Sequence, residues 1–445
     1  MDERELVLDI LLDIDKNKAF SNVALSKALK KHQFEDKQKR AFVTRLAEGV
    51  TEMRIQLDYI IDSYSKTKVA KMKPLIRCAM RMGVYQLLYM DSVPDRAAIF
   101  ETVKLVKKHG FTSLSGFVNA VLRNISREKD AIVLKASEVP HIKYSVPEWL
   151  YDFLVKTYDA ETADKILESG REERPTTIRV NVSKTDRGSL RHMIEEKGIN
   201  VADGHYAPDA LLMDGYDFIK KVPGYRDGLF SVQDESSQMA VRRAYDTYIS
   251  LHSEKKLNDN RVENKDDCVG LTVVDLCAAP GGKTTYAAEL ISGKGAVNSF
   301  DISKDKTDLI EENVERLGLS NVTVSVSDAT VKRDDLLGMA DIVIADVPCS
   351  GLGIMGRKND IKYRVQPEDF EALRNMADTI LDNAVSYLKP DGILLFSTCT
   401  INPYENGEAA EALMSRHPSL KKLEEKTFLQ GVDNCDGFYY CIFQE

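Results

Sequence analysis

Two rhythms of apolar and polar residues divide the chain. Over residues 1–130 apolar positions recur at helical spacing, as in Leu6, Ile10, Leu11 and Ile14. "SNVALSKAL" offers Ser21/Asn22 as a cap before Val23, Leu25 and Leu29, and Pro74 opens "PLIRCAMRMGVYQLLY" at a first helical turn. "VPDRAAIFETVKLVKKHG" and "SGFVNAVLRNI" add two more helices, with short polar connectors, so the front reads as an all-helical bundle. Residues 131–230 mix helices (144–158, 161–170 and "DRGSLRHMIEEKG") with strands in "TTIRVNVSK" and "ALLMDG", a small α+β domain. The third domain, 231–445, opens with a helix in "SVQDESSQMAVRRAYD"; the polar stretch 252–267 then predicts a mobile surface loop. From Gly270 onward strand, turn and helix alternate, with strands in "LTVVDLC", "GAVNSFDIS", "VTVSVSDA", "ADIVIADVP" and "GILLFSTC". Such alternation predicts a doubly wound α/β domain, and runs this apolar predict strands of a parallel sheet buried on both faces.

In such sheets ligands bind beyond the carboxyl ends of the strands. After the first strand comes "DLCAAPGGKT", where Ala278, Ala279, Gly281 and Gly282 let a ligand approach the backbone. A phosphate-binding P-loop needs glycine where Cys277 stands, and no GxGxxG occurs, so nucleoside triphosphates and dinucleotides are disfavoured. Asp301 after the second strand suits ribose hydroxyls, and Asp328 after the third suits an exocyclic amine such as that of adenine. Each alone reads as a helix cap. In this order they fit S-adenosyl-L-methionine, which has no phosphate to cradle.

Asp346, Pro348 and Cys349 follow the fourth strand and Cys399 the fifth, so both thiols are expected at one cleft. A thiolate adding to C6 of a pyrimidine gives C5 the enamine character needed to attack a methyl sulfonium. Asp346 would bind the N3/N4 edge of cytosine. Which thiol attacks stays open on this reading. Cys78, Cys268, Cys277, Cys435 and Cys441 read as packing residues rather than nucleophiles. The seven cysteines form no CxxC pair, so neither a disulfide framework nor a zinc site is expected.

The net charge of −9 argues against nucleic acid until its distribution is seen. Residues 1–130 carry 24 basic and 17 acidic side chains, a net of +7; the remainder carries −16. Lys66, Lys68, Lys71, Lys73, Arg77 and Arg81 fall in an acid-free stretch and are candidates for RNA phosphates. A second acid-free stretch, Thr102 to Arg127, holds Lys104, Lys107, Lys108, Arg123 and Arg127. No window of 18 uncharged apolar residues exists and the start is acidic, so a cytoplasmic protein is expected.

"DLCAAPGGKT", "DVPCSG" and "FSTCT" together resemble the RNA 5-methylcytosine methyltransferases of the NOL1/NOP2/Sun family, and the helical front resembles a NusB-type RNA-binding domain. The resemblance implies a NusB-like bundle, an RRM-like α+β linking domain and a Rossmann-like S-adenosyl-L-methionine-dependent methyltransferase domain. It implies small-subunit ribosomal RNA as partner, with neither metal nor membrane, and a monomer is expected. It assigns the attacking thiol to Cys399 and product release to Cys349. By the same likeness the cofactor is held by Cys277, Ala278, Ala279, Pro280, Gly281, Gly282, Lys283, Asp301, Asp328 and Asp346. "IRVN", with Arg179 and Asn181, matches a family segment ahead of the core, as RNA contact or scaffold. Val347 and Asn359 depart mildly from the family pattern.

Two other classes account for less. A non-catalytic RNA-binding or antitermination factor leaves the Cys349/Cys399 pair without purpose. A DNA cytosine methyltransferase leaves the "FSTC" cysteine unexplained. A C5-cytosine enzyme acting on another RNA is the nearest alternative.

Overall fold

The computed structural model describes residues 2–32, 37–172, 174–258, 270–293 and 295–445. Contacts divide the chain into two compact units: Met1–Glu168 with Met355–Arg364, and Ser169–Ile354 with Val365–Glu445.

The first unit is helical. Its helices include Glu3–Asn17, Ser21–His32, Lys37–Glu52, Arg54–Tyr64, Pro74–Tyr89, Asp95–Lys108 and Ser115–Arg127. Pro74 stands at the first turn of its helix, where a missing N–H costs nothing. Leu6, Ile10, Leu46, Leu57, Val84 and Leu122 lie in one apolar core. The unit continues past residue 130 because the Ser145 hydroxyl accepts from the N–H groups of Ile55 and Gln56, at 3.0 and 3.4 Å. Ser21 departs from the expected cap. It is itself the first helical residue, and its N–H and hydroxyl donate to Asp360 at 3.1 and 2.9 Å. Asp360 belongs to the segment Met355–Arg364, which is counted with this unit and is further held by Arg364 donating to the carbonyls of Lys18 and Ala19.

The second unit carries two sheets. The smaller contains β1 (Thr176–Val180), β2 (Asn200–Asp203), β3 (Ala210–Asp214) and β4 (Phe230–Val232) in the order β2-β3-β1-β4, all antiparallel. The larger contains β5 (Leu271–Asp275), β6 (Gly295–Asp301), β7 (Val322–Val326), β8 (Ala340–Asp346), β9 (Leu388–Thr398), β10 (Lys421–Phe428) and β11 (Phe438–Gln444), in the order β10-β11-β9-β8-β5-β6-β7. The strands β5 to β9 are parallel, as the alternation predicts. β10 and β11 are added antiparallel at one edge, so the sheet is mostly rather than wholly parallel. Alternate residues of each central strand face two cores: Val343, Ala345, Leu394 and Phe396 one way, Ile342, Ile344, Ile393 and Leu395 the other. The helices Asp369–Tyr387 and Gly407–Arg416 contribute to the first core, Glu235–Asn258 and Gly282–Ile291 to the second.

The loop expected over 252–267 is corrected in part. Residues 252–258 continue the helix Glu235–Asn258, because Ser, Glu, Lys and Leu cost little helix propensity. The remainder of that stretch, and Cys268, lie outside the described residues. Among the described residues no helix is long and apolar enough to cross a membrane.

Candidate active site

The sheet switches direction at β5, which pairs with β6 on one side and β8 on the other. Chain leaving β5 and chain leaving β8 therefore diverge from one point, the ligand position of a doubly wound sheet. Cys277 to Lys283 leave β5 there. Gly281 has φ 100°, a backbone conformation that favours glycine, and a Cβ there would also crowd Ile310 Cγ2 at 3.2 Å. Asp301, 4% exposed, accepts the Ala279 N–H at 2.9 Å and pairs with Lys306 at 3.0 Å; one carboxylate thus fixes the loop from the end of β6. Asp328 is exposed and accepts from the N–H and hydroxyl of Thr330, which hold its carboxyl below the usual range. No helix begins at Asp328, so it is not a helix cap; the bonds to Thr330 close a local turn just after β7.

The third acid closes the arrangement. Asp346 accepts from Lys283 Nζ and Ser397 Oγ, both at 2.7 Å. Lys283, nearly buried, also lies over the Phe438 ring at 5.0 Å. Burial pushes up both the Asp275 carboxyl and the Cys277 thiol, and the carboxylates of Asp301 and Asp346 nearby add to both effects. The one lysine of the loop is tied to a carboxylate. Such a cradle disfavours phosphate and fits a cationic, phosphate-free ligand such as S-adenosyl-L-methionine.

Cys349 and Cys399 come together. β8 and β9 pair with Asp346 opposite Ser397, and the thiols follow three and two residues later. Their Sγ atoms lie 3.4 Å apart. The hydrogen bond with Cys399, and then burial, push the Cys349 thiol well up, so Cys349 holds its proton. Cys78, Cys435 and Cys441 are buried and free, with thiols raised by desolvation, as packing residues are.

A polar network that the sequence reading missed holds the two cysteine loops together. Glu405, 3% exposed, accepts from Ser350 N–H at 2.7 Å, Ser350 Oγ at 2.5 Å and Asn402 Nδ2 at 2.9 Å. Ser350 and Thr400 share a hydroxyl contact of 2.7 Å, and Asn406 ties Thr398 to the Thr400 carbonyl. Gly353 N–H donates to the Cys399 carbonyl at 3.0 Å; a Cβ on Gly353 would meet Gly437 O at 2.0 Å. The available signal was Glu405 itself, an acid between Cys399 and a helix that it does not cap.

Arg179 is scaffold by position. It is wholly buried, pairs with Glu289 at 2.7 Å, donates to Thr285 Oγ1, Gln233 and the Gly282 carbonyl, and so braces the helix that follows the loop. Asn181 donates to the carbonyls of Gly228 and Leu317. In the basic stretch, Arg77 pairs with Asp15, and buried Arg81 pairs with Asp58, each of its two bonds 2.7 Å. Lys66, Lys68, Lys71 and Lys73 are exposed, Lys68 near Asp62 and Lys73 over the Phe111 ring.

Residues 264–443 match the family described as 16S rRNA methyltransferase RsmB/F, residues 1–127 the NusB family, and residues 146–217 the ferredoxin-like domain of the RsmF/B-like methyltransferases. The chain is 34% identical to the probable ribosomal RNA small subunit methyltransferase B of Bacillus subtilis (strain 168), over 99% of this chain and 98% of that one. It is 28% identical to ribosomal RNA small subunit methyltransferase B of Vibrio cholerae, over 91% and 89%. Of solved structures, PH0851 aligns with a TM-score of 0.81 at 23% identity, covering 100% of this chain and 99% of that one. NSun6 from Pyrococcus horikoshii with SFG aligns at 0.56 and 20% identity, covering 67% and 98%. These two likenesses speak to the fold.

Proposed function

We propose, because the chain belongs to the RsmB/F family of 16S rRNA methyltransferases, that it methylates C5 of one cytosine in small-subunit ribosomal RNA through a covalent adduct on Cys399. The enzyme class, an S-adenosyl-L-methionine-dependent rRNA methyltransferase, follows from that membership. The target assigned by likeness is cytosine 967.

The observation that carries the adduct is the 3.4 Å separation of the two sulfurs. Cys399 Sγ adds to C6 of the cytosine, and the C5–C6 π pair moves to C5. Asp346 holds the N3/N4 edge, and its contacts with Lys283 and Ser397 fix its orientation. When bound, the sulfonium cofactor supplies the methyl group to C5. A general base then takes the C5 proton, and the C–H electron pair restores the C5–C6 double bond and expels Cys399 as its thiolate. Cys349, which keeps its proton, sits where it donates to the departing sulfur. Removal of Cys349 is thus expected to halt the cycle at the adduct. The substrate base must be unstacked to reach both sulfurs.

Bisulfite sequencing of 16S rRNA from cells lacking this protein tests the reading. Loss of 5-methylcytosine at position 967 supports it; loss at a different RNA position would transfer the activity to the nearest alternative, another RNA substrate.

A further inference from the structure

The helical unit has a second basic stretch, and its geometry differs from that of the first. The helices Asp95–Lys108 and Ser115–Arg127 border a groove of about 810 Å³. Five cations line it: Arg96, Lys104, Lys107, Arg123 and Arg127, all exposed. The single carboxylate of its lining, Asp95, pairs with Lys129 at 3.2 Å and accepts from Ser126 Oγ at 2.6 Å. Lys104 is shared with Glu101 at 3.0 Å, and Arg123 Nε donates to Asn119; among the described residues Arg96, Lys107 and Arg127 form no ion pair. In the first stretch, by contrast, Arg77 and Arg81 are consumed by Asp15 and Asp58. Phe100 also lines the groove and is 64% exposed. An apolar ring left in water among cations has no role in the core of this unit.

Cations that track a backbone beside an open aromatic ring are the recognition surface of single-stranded nucleic acid, because every base offers a face for stacking. An acidic protein would use the cations but not the planar ring. We infer that this groove is the RNA-binding surface of the helical unit, taking single-stranded ribosomal RNA with phosphates on Lys107, Arg123 and Arg127 and one base stacked on Phe100. The inference rests on the proposed function for the identity of the RNA.

The test uses the full chain and a labelled single-stranded fragment of small-subunit rRNA. Binding is measured by anisotropy between about 50 and 200 mM salt. The variant Lys107→Ala/Arg127→Ala should flatten the log–log salt slope by roughly 0.7 for each cation removed. Phe100→Ala should weaken binding about tenfold and leave the slope unchanged. Both should raise KM for RNA without lowering kcat. Lys66→Ala/Lys71→Ala, in the first basic stretch, should flatten the slope less than the groove variant does. All these side chains are exposed, so the variants retain the fold. An unaltered slope in the groove variant, or a larger loss in Lys66→Ala/Lys71→Ala than in the groove variant, would overturn the inference. So would protection of the groove by an acidic peptide and not by RNA. A wild-type chain that binds RNA through the groove and methylates nothing would overturn the proposed function alone.

Discussion

Cys349 Sγ lies 3.4 Å from Cys399 Sγ, though fifty positions separate them in the chain. Two parallel neighbours, β8 and β9, deliver them, and neither strand end could do so if the register shifted by one. The proposed roles differ, so their removal should differ too. Cys399→Ala should lower turnover by about four orders of magnitude or more, the scale on which loss of a nucleophile acts. Calorimetric cofactor binding should be unchanged. Cys349→Ala should leave an RNA–protein band resistant to denaturing electrophoresis. Turnover surviving in Cys399→Ala would reject the assignment.

Glu405 carries the spacing of the sulfurs. Its carboxylate satisfies three donors from both cysteine loops, and no water-facing side can replace them. Glu405→Ala should cost about 3 kcal/mol in urea denaturation, the upper range for a buried hydrogen-bonded charge. A fall in kcat larger than the fall in cofactor affinity should accompany it. A variant as active and stable as the parent would show that the loops hold their positions without it.

Asp275 makes a pH prediction. It is wholly buried beneath the loop; one oxygen accepts from Thr284 Oγ1 at 2.6 Å and the other has no partner among the described residues. Desolvation raises its carboxyl from 3.8 to about 7. In that window the folded chain holds a proton which the unfolded chain has lost. Stability contributed by this group therefore falls as pH rises from about 4 to about 7. Melting curves across that range should slope downward in the parent relative to Asp275→Asn, with up to about 1.4 kcal/mol for each pH unit of the window. Parallel curves would place the proton elsewhere.

The pair of Arg179 and Glu289 is buried on both sides. Arg179→Met leaves Glu289 charged in the interior and should cost about 3–5 kcal/mol by denaturant melts. Arg179→Met/Glu289→Met should recover most of that loss. It should not recover cofactor affinity, because the Gly282 carbonyl still lacks the shorter of its two side-chain donors, Arg179.

Much of the active site was legible because strand ends are marked by composition. Apolar runs stop at Asp301, Asp346 and Cys399, and the small residues 278–282 allow close backbone approach. The last two strands were not anticipated: β11 lies in the apolar run "FYYCIFQ", buried up to Phe443, whereas "KKLEEKTF" conceals β10 because an edge strand faces water along most of its length. The basic stretches were legible as charge but not as accessible charge. Seen in sequence, Arg81 and Lys107 are both cations without acidic neighbours; only folding brings Asp58 and Asp15 to the one and leaves the other exposed.

Local pattern therefore determined the elements, the thiols, the strand-end acids and the family. These depend on periodicity and on residue type at fixed offsets, which the chain carries in order. Tertiary structure decided which charges are cancelled, which polar groups are buried and which sulfurs meet. Those depend on distances between residues remote in the chain, and on a desolvation that no single segment experiences until the others surround it.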